Sequence, residues 1–293
     1  MILHRRAVLS GLLAAPALPR LASAVPAAST LPPRWQRYAV AAQPAEGRPV
    51  ISIIVDDLGV IHPGTARAVA LPAPVTLAWF PFARHLPDQV GAAGERGHEA
   101  LLHMPMQAQR VSDTWTGPDP LRIDISLDEN LRRLVAAIDA VPDTVGLNNH
   151  MGSVATRDAA LMTVVAQELR RREMLLLDSL TINHSMAYPC AAEAGVPATL
   201  RDVFIDYKHD RAVIARQLEL IERQARERGH VVAIGHPWPL TLDALEAWLP
   251  GLEAKGFVLW PVSAMVALRM KEGQSLPPVA PANAGAELSE PTI

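Results

Sequence analysis

This sequence predicts an α/β fold with parallel strands, either a (β/α) barrel or a doubly wound sheet, and three observations predict it. Eight short apolar runs recur between residues 50 and 260. Most are continuous rather than alternating in polarity, as expected of strands covered on both faces. Longer amphipathic stretches separate them, which is the strand–helix alternation of a parallel architecture. A folded unit spanning residues 49–272 suits a small or incomplete barrel.

Each element has its own signal. The strand candidates are Val50–Val55, Val75–Phe80, Glu99–Met104, Val145–Asn149, Met174–Asp178, Asp202–Asp206, Val231–Gly235 and Phe257–Trp260. Ser126-Leu127-Asp128-Glu129 is a capping box that starts a helix to Ala140. A second helix is predicted over Asp158–Arg172 with Thr156 as N-cap. A third covers Asp210–Arg228, with Val213, Ile214, Leu218, Ile221 and Ala225 on one face and Gly229 ending it. The last runs from Thr241 to Lys255 and closes at Gly256.

The flanks read differently. His4-Arg5-Arg6 precedes an apolar stretch from Leu9 to Leu18, and Ala22-Ser23-Ala24 offers a cleavage pattern of small residues. Residues 1–24 are therefore expected to be a signal peptide with twin-arginine character, directing export to the periplasm. Residues 25–48 read as a Pro- and Ala-rich linker, and 273–293 as a disordered tail. No later run approaches the roughly 18 apolar residues of a membrane span.

Composition narrows the function. The chain has 293 residues, 49% hydrophobic and 19% charged, with a formal net charge of -3. That balance lacks the basic excess of a nucleic-acid-binding protein. Cys190 is the only cysteine, so an intrachain disulfide and a thiolate metal cluster are excluded, and its expected role is packing.

The chemistry-bearing residues gather where strands end. Asp56-Asp57 follow the first strand, His103 ends the third, and His150 follows the fourth. Asp178-Ser179 close the fifth, Asp206 the sixth, and His236 follows the seventh. In parallel α/β folds these ends share one face, where active sites form. Asp and neutral His suit a divalent cation such as zinc. Singly, each has a plainer reading as a turn, cap or structural hydrogen-bonding residue; together they point to a site. His4, His62, His85, His98, His184, His209 and His230 lack that placement and read as surface or structural.

At these residues the chain resembles a known family. Ile53-Ile54-Val55-Asp56-Asp57-Leu58-Gly59 is similar to the first motif of polysaccharide deacetylases. Leu102-His103-Met104-Pro105-Met106, Gly146-Leu147-Asn148-Asn149-His150-Met151-Gly152-Ser153, Leu177-Asp178-Ser179, Arg201-Asp202-Val203-Phe204-Ile205-Asp206 and Gly235-His236-Pro237 resemble the divergent polysaccharide deacetylases. The resemblance implies an incomplete, seven-stranded (β/α) barrel and metal-dependent hydrolysis of acetyl groups on a glycan or peptidoglycan-derived substrate. Carried over, Asp56 is the general base, and Asp57 and His103 are metal ligands. The superfamily's second metal histidine is replaced near Met106, so His150 is nominated in its place. The arginine-proline-tyrosine motif of ordinary deacetylases is absent, and Gln107 stands where the divergent family usually has an acid.

The resulting expectation is a metal, zinc by choice of donors, held by Asp57, His103 and His150. Asp56 takes the water's proton, and His236 either protonates the leaving group or serves as a further ligand. Asp178 and Ser179 are expected to orient His236 or bind substrate; Asn149 is a further substrate contact, and Trp115 and Trp238 are candidate sugar platforms. A non-catalytic glycan-binding protein and a hydrolase of another amide or ester are the rival readings.

Overall fold

The computed structural model describes residues 31–60, 62–109 and 116–273. The expected signal peptide, the expected tail beyond Gly273 and Trp115 lie outside the described residues. From Pro32 onward the described chain belongs to one unit.

Its centre is a parallel sheet. The strands are β1 (Val50–Leu58), β2 (Thr76–Trp79), β3 (Glu99–Met106), β4 (Gly146–Met151), β5 (Leu175–Asp178), β6 (Ala198–Leu200), β7 (Val203–Phe204), β8 (His230–Gly235) and β9 (Val258–Leu259). Their order is β6-β5-β4-β3-β2-β1-β8-β7, with β9 paired to the start of β1. The two ends of this order are a single stretch of chain. Arg201 N–H bonds the Asp178 carbonyl at 3.1 Å, and Asp202 N–H bonds the Val232 carbonyl at 2.8 Å. The segment 198–204 thus leaves β5 and joins β8 within two residues. Counted as one interrupted strand, it closes a seven-position incomplete (β/α) barrel. The expected strand Asp202–Asp206 overlaps only the end of this segment, which begins at Ala198 and ends at Phe204.

The helices are α1 (Arg34–Arg37), α2 (His62–Val69), α3 (Leu86–Glu95), α4 (Leu127–Ala140), α5 (Ala159–Arg171), α6 (Ala187–Glu193), α7 (Arg211–Arg228), α8 (Pro239–Trp248) and α9 (Val262–Lys271). Ser126 caps α4 by accepting the Glu129 N–H, as the capping box predicts. Helix α5 is capped by Asp158 rather than Thr156, because Thr156 lies inside a 3-10 turn, Ala155–Arg157, that precedes the helix. Gly229 ends α7 in a left-handed conformation, φ 82°. Helix α8 starts at Pro239, which suits a first helical position. It gives way to a 3-10 turn at Leu249–Gly251, so it is shorter than the predicted Thr241–Lys255. Residues 32–48 are more than a tether: α1 buries Trp35, whose N–H bonds the Glu173 carbonyl at 2.9 Å.

Packing sorts the barrel into layers. One face of the sheet packs against the surrounding helices through residues such as Ile53, Val55, Leu102, Leu147 and Leu176. The other face encloses a second cluster containing Ile54, Ala78, Leu101, Leu177 and Ile234. Side chains alternate along a strand, so two residues further on the same inner face carries Asp56, Phe80, His103, Ser179 and His236. The inner cluster also holds Val262, Met265 and Val266 of α9. That helix closes the barrel at the strand N-termini, leaving the opposite end for the polar layer. No helix among the described residues is long and apolar enough to cross a membrane.

Candidate active site

Alternation alone would turn Asp57 away from its neighbour's side. It comes to the site because its backbone adopts φ 59°, a left-handed conformation that Asp tolerates better than most residues. The β1–β2 register slips between Val55 and Leu58, so the strand bulges here and re-aims a side chain. Both acids of the pair thereby reach one place.

Asp57, His103 and His150 converge. The His103 Nε2 and His150 Nδ1 atoms lie 3.1 Å and 3.0 Å from Asp57 Oδ1, and 3.1 Å from each other. Zinc bonds of about 2.0–2.2 Å set tetrahedral ligands roughly 3.3 Å apart, so the triangle is close to the size such an ion needs. Asp57 Oδ1 is buried and receives no aligned hydrogen bond despite these neighbours. Three lone-pair-bearing atoms this close repel unless a proton or a cation lies among them. The residues therefore fit a divalent cation.

The electrostatics agree. Burial pushes the Asp57 carboxyl up, but the charge of His150 and the close imidazoles outweigh it and hold it well below the usual range. Burial pulls His103 down, yet Asp56 and Asp57 raise it above an ordinary histidine. The site attracts positive charge, and a metal would replace a proton there.

Asn148 organises the layer. Its Oδ1 is 2.8 Å from His103 Nδ1, and its Nδ2 donates to Asp56 Oδ1 at 2.8 Å. Since a carboxylate only accepts, the amide NH2 must face Asp56 and its oxygen must face His103. His103 then carries its proton on Nδ1 and offers a bare Nε2 to the triangle. Phe80 walls the site, with its ring centroid 5.2 Å from His103 and 4.7 Å from His150. Neither role was visible in the sequence; the inward phase of each strand would have been the signal.

Asp56 is buried, and burial raises its pKa against the opposing pull of His103, His236 and Asn148. His236 follows β8, which is in register with β1 up to Val55 and Gly235, so it stands beside Asp56. Its Nδ1 is 2.9 Å from Asp206 Oδ1, and its N–H donates to Asp206 Oδ2 at 2.8 Å. Burial lowers the His236 pKa, but Asp206, Asp57 and Asp56 prevail and raise it to about 10. Asp206 therefore orients His236, a task expected of Asp178 and Ser179.

Those two residues serve the turn after β5. Asp178 is fully buried, and its Oδ1 accepts the Leu180 N–H at 2.9 Å. Ser179 Oγ accepts from Asn148 at 3.3 Å, and its N–H donates to Asn149 Oδ1 at 2.9 Å. Asn149 Nδ2 bonds the Met151 carbonyl at 2.7 Å, so both ends of that amide are used internally. Trp238 stands partly exposed two residues beyond His236, its ring 6.0 Å from that of His209. Met106 packs in the outer core, away from the triangle. His98, read as structural, bonds the Val69 carbonyl at 3.1 Å.

The sequence and fold have known counterparts. The family profile described as divergent polysaccharide deacetylase matches residues 53–266. The chain belongs to the divergent polysaccharide deacetylase family. A protein of Haemophilus influenzae strain Rd is 35% identical over 202 residues, 69% of this chain and 71% of its own length. YibQ of Escherichia coli K12 is 35% identical over 196 residues, 67% of this chain and 61% of its own. The crystal structure of ATU2773 from Agrobacterium tumefaciens C58 has a TM-score of 0.76 at 25% identity, over 80% of this chain and 95% of that one. EF3048 of Enterococcus faecalis V583, at 13% identity and a TM-score of 0.54 over 74% of this chain and 99% of that one, shares the fold. The region matched by the family profile contains the whole polar layer.

Proposed function

We propose that this divergent polysaccharide deacetylase is an exported, metal-dependent hydrolase that removes acetyl groups from a cell-envelope glycan. The observation that carries the reading is the Asp57–His103–His150 triangle, with ligand atoms 3.0–3.1 Å apart, beside the buried Asp56 carboxyl and the His236 imidazole. A divalent cation held by these three residues, zinc by the nature of the donors, would acidify water and polarise the acetyl carbonyl. Asp56 accepts the water's proton, and its raised pKa brings it nearer the working range of a base. Asn148 fixes that carboxylate against His103. His236, whose pKa Asp206 and the neighbouring acids raise against burial, hands a proton to the departing amine or alkoxide. Phe80 keeps one side of the site apolar, which strengthens each charge interaction. Trp238 is suited to stack on a sugar ring at the rim. Export rests on the paired arginines, apolar stretch and small-residue pattern of residues 1–24.

The test is acetate release from N- and O-acetylated glycans by the zinc-loaded protein. Release that falls by roughly a thousandfold or more in Asp57→Ala is expected. Full activity in that variant would reject the metal assignment. Saturable glycan binding with no acetate from any substrate would replace the hydrolase with a binding protein.

A further inference from the structure

Two arginines meet the segment that closes the barrel, and they differ in how their charge is used. Arg269 of α9 spends every N–H. Its partners are Thr199 Oγ1 at 2.8 Å, the Leu200 carbonyl at 3.2 Å, His230 Nδ1 at 3.2 and 3.3 Å, and the Asp202 carboxylate. Arg201 is on the same segment, two residues beyond Thr199. Its Nε donates to the Ser179 carbonyl at 2.7 Å, and one Nη2 hydrogen to the Leu180 carbonyl at 2.9 Å. Its guanidinium lies over the Phe204 ring, 4.8 Å from the centroid. A guanidinium has five N–H donors, so three remain, and no carboxylate among the described residues forms an ion pair with it.

Its position joins it to the active site. Thr199 faces α9 at the closed end, so alternation puts Arg201 on the inner face, in the layer of Asp56, His103 and His236. Phe204, on which it rests, has its ring 5.5 Å from that of His236. Ser179, whose carbonyl it grips, touches Asn148 of the Asp56–His103 network. Two carbonyls and an aromatic face fix the plane of the guanidinium, and the unused donors form the fork that matches a carboxylate.

The geometry points to Arg201 as a specificity-determining residue that binds a carboxylate on the substrate, so the preferred glycan is acidic: an acetylated sugar that carries, or adjoins one carrying, a carboxylate. This rests on the proposed glycan-hydrolase reading and names its substrate class. A purely structural Arg201, bracing the turn at Leu180 with its φ of 50°, would not distinguish charged from neutral sugars.

The test is calorimetric binding to the full chain of matched oligosaccharides. One acidic probe is a peptide-free tetrasaccharide of alternating N-acetylglucosamine and its lactyl-ether sugar. The other is an N-acetylglucosamine–uronate tetrasaccharide. Each is compared with its carboxyl-reduced form. The wild type is expected to bind at least one acidic probe about 10- to 100-fold more tightly than its reduced form, and which one identifies the source of the carboxylate. In Arg201→Gln that ratio should fall to near 1, and in Arg201→Lys to an intermediate value, because lysine keeps the charge and loses the fork. Equal wild-type affinity within both pairs overturns the inference whether or not the variants fold, as does a ratio preserved in Arg201→Gln. Discrimination without acetate release would uphold Arg201 and reject the hydrolase.

Discussion

The barrel has a polar layer at each end, and the two are built to opposite rules. At the strand N-termini, Glu99 with Thr76 and Arg269 with Thr199 form two separate hydrogen-bonded networks. Glu99 accepts from the Ser263 N–H at 3.0 Å, from the Ser263 hydroxyl, from Thr76 Oγ1 at 3.4 Å and from the Val40 N–H at 3.4 Å. Arg269 is equally complete. At the strand C-termini, Asp57 Oδ1 is buried without an aligned donor, three ligand-type atoms crowd together, and Arg201 has donors to spare. A satisfied polar layer stabilises a fold; one with missing partners is arranged for something that arrives later. Substitutions at the two ends should therefore separate stability from function.

The largest separation is expected at His236. Replacing it with Asn should lower kcat for acetate release by about 10²- to 10⁴-fold, the range of general acid–base catalysis, with little change in the melting temperature of the metal-free protein. An equal loss of both would break the contrast.

Arg269→Met should do the reverse. It removes the buried partner of Asp202 and leaves that carboxylate the Val232 N–H at 2.7 Å and Arg228 at 3.9 Å, which costs about 1–3 kcal/mol in chemical denaturation, while zinc stoichiometry stays at the wild-type value. Unchanged stability would mean that α9 does not lock the closing segment.

Glu99 sharpens the same comparison through pH. Burial raises its pKa to about 7, against the pull of its Ser263, Val40 and Thr76 hydrogen bonds. A carboxyl with a pKa higher in the folded than in the unfolded chain retains more protons when folded. Stability therefore falls as pH rises from the ordinary value of about 4.5 to about 7, by about 3 kcal/mol at most. Glu99→Gln should flatten that slope between pH 5 and pH 8, read as melting temperature against pH. A slope that survives places the titration elsewhere.

The smallest effect is expected at Asn148. Asn148→Ala frees the tautomer of His103 and should weaken zinc affinity about 10- to 100-fold, measured by competition with a chelator. Unaltered affinity would show that His103 needs no such partner.

The pattern of these residues explains what the sequence could and could not reveal. Asp56, His103, His150 and His236 were legible because each stands at the end of a recognisable apolar run, and parallel folds bring those ends together. Asn148, Phe80 and Arg201 were not, because their roles depend on which face each strand presents and on register between segments far apart in the chain. Arg201 was harder still: its strand is interrupted at Asp202, so the sequence pattern shows only the second half. Asp57 reaches the site through one positive φ that no residue pattern announces. Helix α9 has apolar residues on several sides, with Val262, Met265, Val266 and a buried Arg269, so it lacks the single-sided stripe of a surface helix. Its place at the closed end of the barrel accounts for that composition.

The most direct test is zinc binding by the metal-free full chain, followed by metal analysis and X-ray absorption. The predicted result is one zinc per chain with nitrogen and oxygen ligands at about 2.0–2.2 Å, lost in each of Asp57→Ala, His103→Ala and His150→Ala. A wild-type protein that binds no divalent ion, or one that keeps its zinc in all three variants, would contradict the account.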